Sequence, residues 1–241
     1  GVQTCALPIC YVLTSNAPET KDNNFTWKDY QDRNNNELLA VFGNFVNRTL
    51  VLTHKYFEGK VPALTNLNEK DNAAVEEMNQ YPDKIAHLLD TYKFREALSE
   101  LMNLARLGNR YLTENEPWKQ FKTDPERVKT VLAVSLQIVA KLAILSEPFL
   151  PFSAKKLQAM IGLEVSGWNQ AKETVLLNEE SQIGEVELLF TKVEDETVAA
   201  QIKKLEDTKK QNELNAWAPN PVKPNTNIDE FGKMDIRVGT V

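Results

Sequence analysis

The stretch that most restricts what this chain can fold into begins at Asp124-Pro125-Glu126 and continues as an almost wholly apolar run to about Ser146. Asp can cap a helix, Pro suits its first turn, and an acid near the start opposes the positive end of the helix dipole. A helix that is apolar on all sides must be covered on all sides. Other helices must therefore surround this one, and the chain should be mainly α. Ser135, Gln137 and Lys141 interrupt the run, which leaves it short of the ~18 unbroken apolar residues of a membrane span, so no membrane partner is expected.

The surrounding helices are legible in their periodicity. Leu38, Phe42, Phe45, Val46 and Leu50 recur at three- and four-residue spacing and predict a helix over 37–57, ended by Gly59 and Pro62. A second helical region spans about 69–92, with Ile85, Leu88, Leu89 and Tyr92 as its stripe; Pro82 predicts an interruption and a restart there. A third covers 94–112, with Leu98, Leu101, Met102, Ala105 and Leu112 on one side, and stops at TENEPW. EPFLPF ends the central helix, and Ser153 is expected to cap a shorter one through Met160. The expectation is an antiparallel bundle of about five helices over residues 36–165.

The flanks differ in character. Residues 11–35 read as a connector rich in Asn, Asp, Pro and Thr, in which Thr26 caps a short turn carrying Trp27 and Tyr30. Residues 166–225 read as a linker: EVELLF alternates like a short strand, residues 193–217 form a long charged helix, and a Pro/Asn stretch follows. In 226–241, Met234, Ile236 and Val238 alternate with Asp235 and Arg237, as at the start of a β-strand. A lone strand is not stable, so the chain is expected to be truncated there. Residues 1–10 contain both cysteines, Cys5 and Cys10, and VQTCALPI resembles a translated sequencing-adapter read, so these ten residues are read as a non-native leader. With no cysteine elsewhere, a disulfide framework is not expected and a cytoplasmic location is.

The net charge of −6 argues against a sequence-blind nucleic-acid binder but not against a protein that reads a few bases at one place. No phosphate loop, dinucleotide fingerprint, HExxH or GxSxG is present. His54 and His87 each stand alone, so no metal site is expected. Glu76, Glu77, Glu194, Asp195 and Glu196 lie in charged helices that solvent explains. The residues describe a binding module without catalytic residues.

Several segments carry a resemblance. YVLTSNAPETKDNNFTW (11–27) resembles the exit from the catalytic domain of class I aminoacyl-tRNA synthetases. NNNELLAVFGNFVNRTL (34–50) resembles the first helix of their anticodon-binding domain, with an NxxxR pattern, and ENEPWK (114–119) resembles a Pro-Trp element between later helices. LLFTKVEDE and IDEFGKMDIRVGTV resemble the joining segment and the opening of the tRNA-binding OB-fold appended to many methionine–tRNA ligases. Together, in this order, they are similar to the methionine–tRNA ligase family.

The resemblance implies residues 11–35 at the end of a catalytic domain, an anticodon-binding bundle over 36–165, and a truncated OB-fold from 226. It implies that Asn44, Arg48 and Trp118 read the CAU anticodon of the tRNA for methionine. Lys119 and Lys122 lie near Trp118 in sequence and are candidate phosphate contacts, with solvated surface lysines as the other reading. Asn44 and Arg48 are four apart and share a helix face. An amide offers a donor and an acceptor, a guanidinium a fork of donors, and an indole a stacking surface. The HIGH-like and KMSKS-like motifs that hold ATP, with Mg, are absent from this chain and would precede Tyr11. No cofactor is therefore expected here and no activity of this piece alone. The family's OB-fold supports dimers, so a homodimer through that domain is an open expectation. Two other readings remain: the anticodon domain of another class I synthetase, and a helical protein–protein adaptor. If Asn44, Arg48 and Trp118 lay far apart, the RNA reading would fail.

Overall fold

The structure is a computed structural model that describes residues 9–19, 22–214, 227–234 and 237. One compact unit runs to Ala199, and the residues from Ala200 onward form another. In the first, α1 (Ile9–Ser15) precedes a continuous helical rod: α2 (Trp27–Arg33), a π-helical segment (Asn34–Gly43) and α3 (Asn44–Phe57). Then come α4 (Glu69–Asp90), α5 (Phe94–Asn115), the short α6 (Pro117–Gln120), α7 (Pro125–Leu145), α8 (Pro151–Ile161) and a 3-10 turn (Trp168–Lys172). Helix α9 (Asp195–Leu214) is long and highly charged; α10 (Ile228–Phe231) belongs to the second unit.

Helix α7 is the centre, as its composition demands. Asp124 caps it by accepting from the Arg127 amide, Pro125 opens it, and every residue from Thr130 to Leu145 is buried. Helices α3, α4, α5, α6 and α8 and the 3-10 turn all pack on it. By length and hydropathy this helix could cross a membrane, but its surface is covered by protein. Its two long polar residues have specific work. Gln137 accepts from the amides of Leu176 (2.7 Å) and Leu177 (3.1 Å) and donates to Leu177 O. Lys141, one turn on, donates to Ala171 O (2.6 Å) and Glu173 O (2.7 Å). Burial pushes its amine down to about 8, with Glu173 opposing. Residues that look like breaks in an apolar helix thus satisfy the backbone of the segment wrapped over it, which would otherwise be buried without partners.

Four expectations are corrected. The helical rod begins at Trp27, so most of the second half of the expected connector is helical, although Thr26 does cap it by accepting from the Asp29 amide. The Asn-rich start lies inside the rod because its side chains bond the returning chain: Asn34 donates to Thr191 O (2.9 Å), while Asn35 donates to Val193 O and accepts from its amide (both 2.9 Å). Pro82 does not interrupt α4; Met78, Tyr81, Pro82 and Ile85 are all buried, and packing on α5 outweighs one lost backbone bond. Helix α8 begins at Pro151, whose fixed φ suits a first turn, and Ser153 lies within it. EVELLF forms no strand; it runs as irregular chain with Phe190 seated edge-on against Phe42 at 5.8 Å. Among the described residues the only β-pairing is the bridge between Lys60 and Gln182. There Gly59 (φ 79°) is required, since a Cβ would lie 2.6 Å from the Gln182 amide and 2.7 Å from the His54 ring. Most of the expected C-terminal strand, of the expected leader and of the Pro/Asn linker lies outside the described residues; of the leader, Ile9 and Cys10 are described and open α1.

Candidate nucleic-acid interface

Helix α5 ends where Glu116 takes a left-handed conformation (φ 39°), and Pro117 starts α6. Pro117 is buried, so Trp118 is thrown to the surface, where it is 37% exposed. Beyond it, Phe121 stacks on Tyr56 of α3 with ring centres 4.1 Å apart and meets Phe57 edge-on at 6.1 Å. These contacts fasten α6 to the end of α3. The Arg48 guanidinium of α3 then lies over the Trp118 ring, 4.9 Å from its centre. Such a contact contributes about 0.5–1 kcal/mol at an exposed site. Asn44 is exposed one turn earlier on the same face, with its amide 3.4 Å from Asn109 Oδ1 of α5.

The structure therefore brings Arg48 and Trp118 into contact and sets Asn44 beside Arg48. No carboxylate lies within ion-pair distance of Arg48 among the described residues, so its charge is uncompensated. Lys119 pairs with Glu116 at 2.7 Å, which occupies it, whereas Lys122 is exposed and has no ion pair among the described residues. His54 bonds Gly184 O (2.9 Å), and among the described residues no cluster of His, Cys, Asp or Glu could hold a metal.

Sequence reasoning missed what holds the surface in place. Asn109 donates to Val41 O (2.8 Å) at the end of the π segment, locking α5 to the helix that presents Asn44. Its signal in the sequence is weak: Gly108-Asn109 is a poor helical pair in a helix otherwise well suited to its role. Beneath the α5–α6–α7 corner lies a buried network. Asp71, fully buried in the first turn of α4, takes a two-pronged contact from Arg127 (2.5 and 2.8 Å) and a hydrogen bond from the Tyr111 hydroxyl (2.6 Å). It also completes a capping box with Asn68. Arg127 further donates to Asn115 Oδ1 at 2.6 Å. Asn115 and Arg127 flank the segment that carries Trp118, so this network fixes both of its ends.

Residues 61–210 match the family profile described as the anticodon binding domain of methionyl tRNA ligase. The chain belongs to this family. Residues 8–50 match a second profile, tRNA synthetases class I (M). Asn44 and Arg48 fall in that match and Trp118 in the other, so the two profiles meet at the candidate surface. Among curated relatives, the methionine–tRNA ligase of Phocaeicola vulgatus is 57% identical over 96% of this chain and 34% of its own length. That of Cytophaga hutchinsonii is 54% identical over the same shares. The chain thus spans about a third of the length of the relatives it matches. The fold is that of the Mycobacterium tuberculosis methionyl-tRNA synthetase in its apo form, with TM-score 0.73 and 22% identity over 78% of this chain and 39% of that one.

Proposed function

We propose that this chain is the anticodon-reading part of a methionine–tRNA ligase, with Asn44, Arg48 and Trp118 as the reading residues. The contact of Arg48 with the Trp118 ring is the observation that carries the proposal. It joins a flat stacking surface to a fork of uncompensated donors, and Asn44 adds a donor and an acceptor one turn away. An unpaired base has a π-face and a hydrogen-bonding edge, and this surface offers a complement to both. A base stacking where Arg48 now rests displaces the guanidinium, whose donors then turn to the base edge. The exchange is favourable because base–indole stacking is worth about 1–3 kcal/mol against about 0.5–1 for the cation–π contact. An acidic protein can bind RNA in this way because the recognition is local. Lys122, exposed and four residues from Trp118, is the candidate phosphate contact; Lys119 can serve only by leaving Glu116.

The activity belongs to the longer protein, which attaches methionine to its tRNA with ATP and Mg in the cytoplasm; no residue of this chain is assigned to ATP. A homodimer through the OB-fold is part of the same proposal. Trp118→Ala in the full-length enzyme should lower kcat/KM for charging the CAU tRNA by about 10–100-fold, the equivalent of ~1.4–2.7 kcal/mol of lost stacking. Methionine activation by ATP should be unchanged, as measured by pyrophosphate exchange. Equal charging of CAU and anticodon-altered tRNA by both wild type and variant would refute the assignment.

A further inference from the structure

The polarity of the Asn44 side chain is set from outside its own helix. Asn109 of α5 is half-buried, and its amide nitrogen donates to two backbone carbonyls: Val41 O in the π segment (2.8 Å) and Ala105 O one turn back in α5 (3.2 Å). An amide NH2 group has two protons, so both are in use. Turning the Asn109 amide over would set its oxygen against two carbonyl oxygens, none of which could donate. The orientation of Asn109 is therefore fixed, and Oδ1 is the atom left to meet Asn44. Gly108 permits this approach of the two helices, since a Cβ there would lie 2.3 Å from the Phe45 ring.

An amide oxygen only accepts, so Asn44 must turn its NH2 group to Asn109, as it does at 3.4 Å. At that length the bond itself is weak, and the amide is held mainly by polarity: a reversed Asn44 would face one oxygen with another. Of the donor and the acceptor that Asn44 carries, the acceptor is thus the one left for a base, and it accepts no hydrogen bond among the described residues. One turn on, the Arg48 guanidinium supplies donors and cannot accept. A base that fits must therefore present a donor beside acceptors. The Watson–Crick edge of cytosine does so, with an exocyclic amine next to a ring nitrogen and a carbonyl oxygen that both accept. Uracil has a carbonyl oxygen in place of the amine and an N–H in place of the accepting ring nitrogen. It would set an acceptor against Asn44 Oδ1 and a donor against Arg48.

We infer that Asn109 is a positioning residue for base choice: it holds the Asn44 amide with its oxygen free for the RNA, and the surface consequently selects cytosine over uracil by its exocyclic amine. The inference rests on the anticodon reading proposed above. It adds that the selection is set in α5, by a side chain that acts through Asn44.

The test is binding of CAU, UAU and GAU anticodon stem-loops to this chain by fluorescence anisotropy. Asn109→Ala frees Asn44 to turn its NH2 group to the base. The preference for CAU over UAU should fall by about 5-fold, roughly the net value of one hydrogen bond, with UAU bound about 2-fold tighter than by wild type. Asn109→Ser should do the same, and its hydroxyl can bond Ala105 O as Thr49 bonds Phe45 O in α3 (2.9 Å), which supports the helix. Loss of CAU affinity with no gain for UAU would mark a structural role for Asn109 and overturn the inference, as would an unchanged preference in both variants. A wild type that rejects GAU but binds UAU as well as CAU would overturn the inference alone. A wild type that binds all three equally would overturn the anticodon reading and the inference with it.

Discussion

Asp71→Ala should lower the free energy of unfolding by about 3 kcal/mol near neutral pH, because breaking a buried pair strands the other charge. Asp71 is fully buried, while Arg127 keeps 17% of its side-chain surface exposed. Water can therefore reach Arg127 in the variant, which keeps the expected cost at the lower end of the range. Tyr111 would lose its acceptor as well, and α4 its capping box. The loss also has a predictable pH dependence. Burial pushes the Asp71 carboxyl up, but hydrogen bonds from Arg127, Tyr111 and the Asn68 amide outweigh it, so the group titrates below its ordinary value. A lowered folded pKa gives stability that is complete above the unfolded value of about 3.9 and is lost as pH falls through the folded one. The difference between wild type and Asp71→Ala should therefore be constant from about pH 5 to 8 and shrink below about pH 4. Urea denaturation across that range measures it. A difference that grows on acidification would show that Asp71 is not the ionised partner of Arg127.

Gly108→Ala should destabilise the fold by about 2 kcal/mol, although alanine is the better helix former by about 1 kcal/mol. The Cβ would lie 2.3–2.5 Å from three atoms of the Phe45 ring, and Phe45 is fully buried with no room to retreat. Phe45 sits next to Asn44 on α3, and Gly108 next to Asn109 on α5, so the close approach of these two helices also sets the Asn44–Asn109 contact. The pair should couple. In a Phe45→Leu background, itself destabilised, the same Gly108→Ala change should cost little or nothing, giving a coupling of at least about 1.5 kcal/mol in a double-mutant cycle. An additive cycle would mean that the helices separate at no cost and that the glycine has no packing role.

Much of this architecture was legible because it follows from periodicity. Leu38, Phe42, Phe45, Val46 and Leu50 are all buried, and the central helix starts and ends within a residue of its expected bounds. The errors have a common cause. Asn34 and Asn35 look like turn formers, Pro82 like a break and Ser153 like a cap, because local preference favours those roles. The asparagines and Pro82 were overruled by partners distant in sequence: the returning chain at 191–193 for the asparagines, and α5 for Pro82. For Ser153 the competitor was Pro151, two residues away. At the candidate site, the spacing of Asn44 and Arg48 was readable from one helix. That Trp118 meets Arg48 depends on the αL turn at Glu116, the Tyr56–Phe121 stack and the Asp71–Arg127 pair, none of which has a local sequence signature.

The most direct test of the anticodon-reading claim is the affinity of this chain for a CAU stem-loop against one carrying a different first anticodon base, for wild type and for Arg48→Ala. Anticodon reading at this surface requires a preference of at least about 10-fold for CAU in wild type, the scale of ~1.4 kcal/mol that one well-made base contact supplies, and its loss in the variant. Equal affinity of wild type for the two loops, or a preference that survives removal of Arg48, would contradict it.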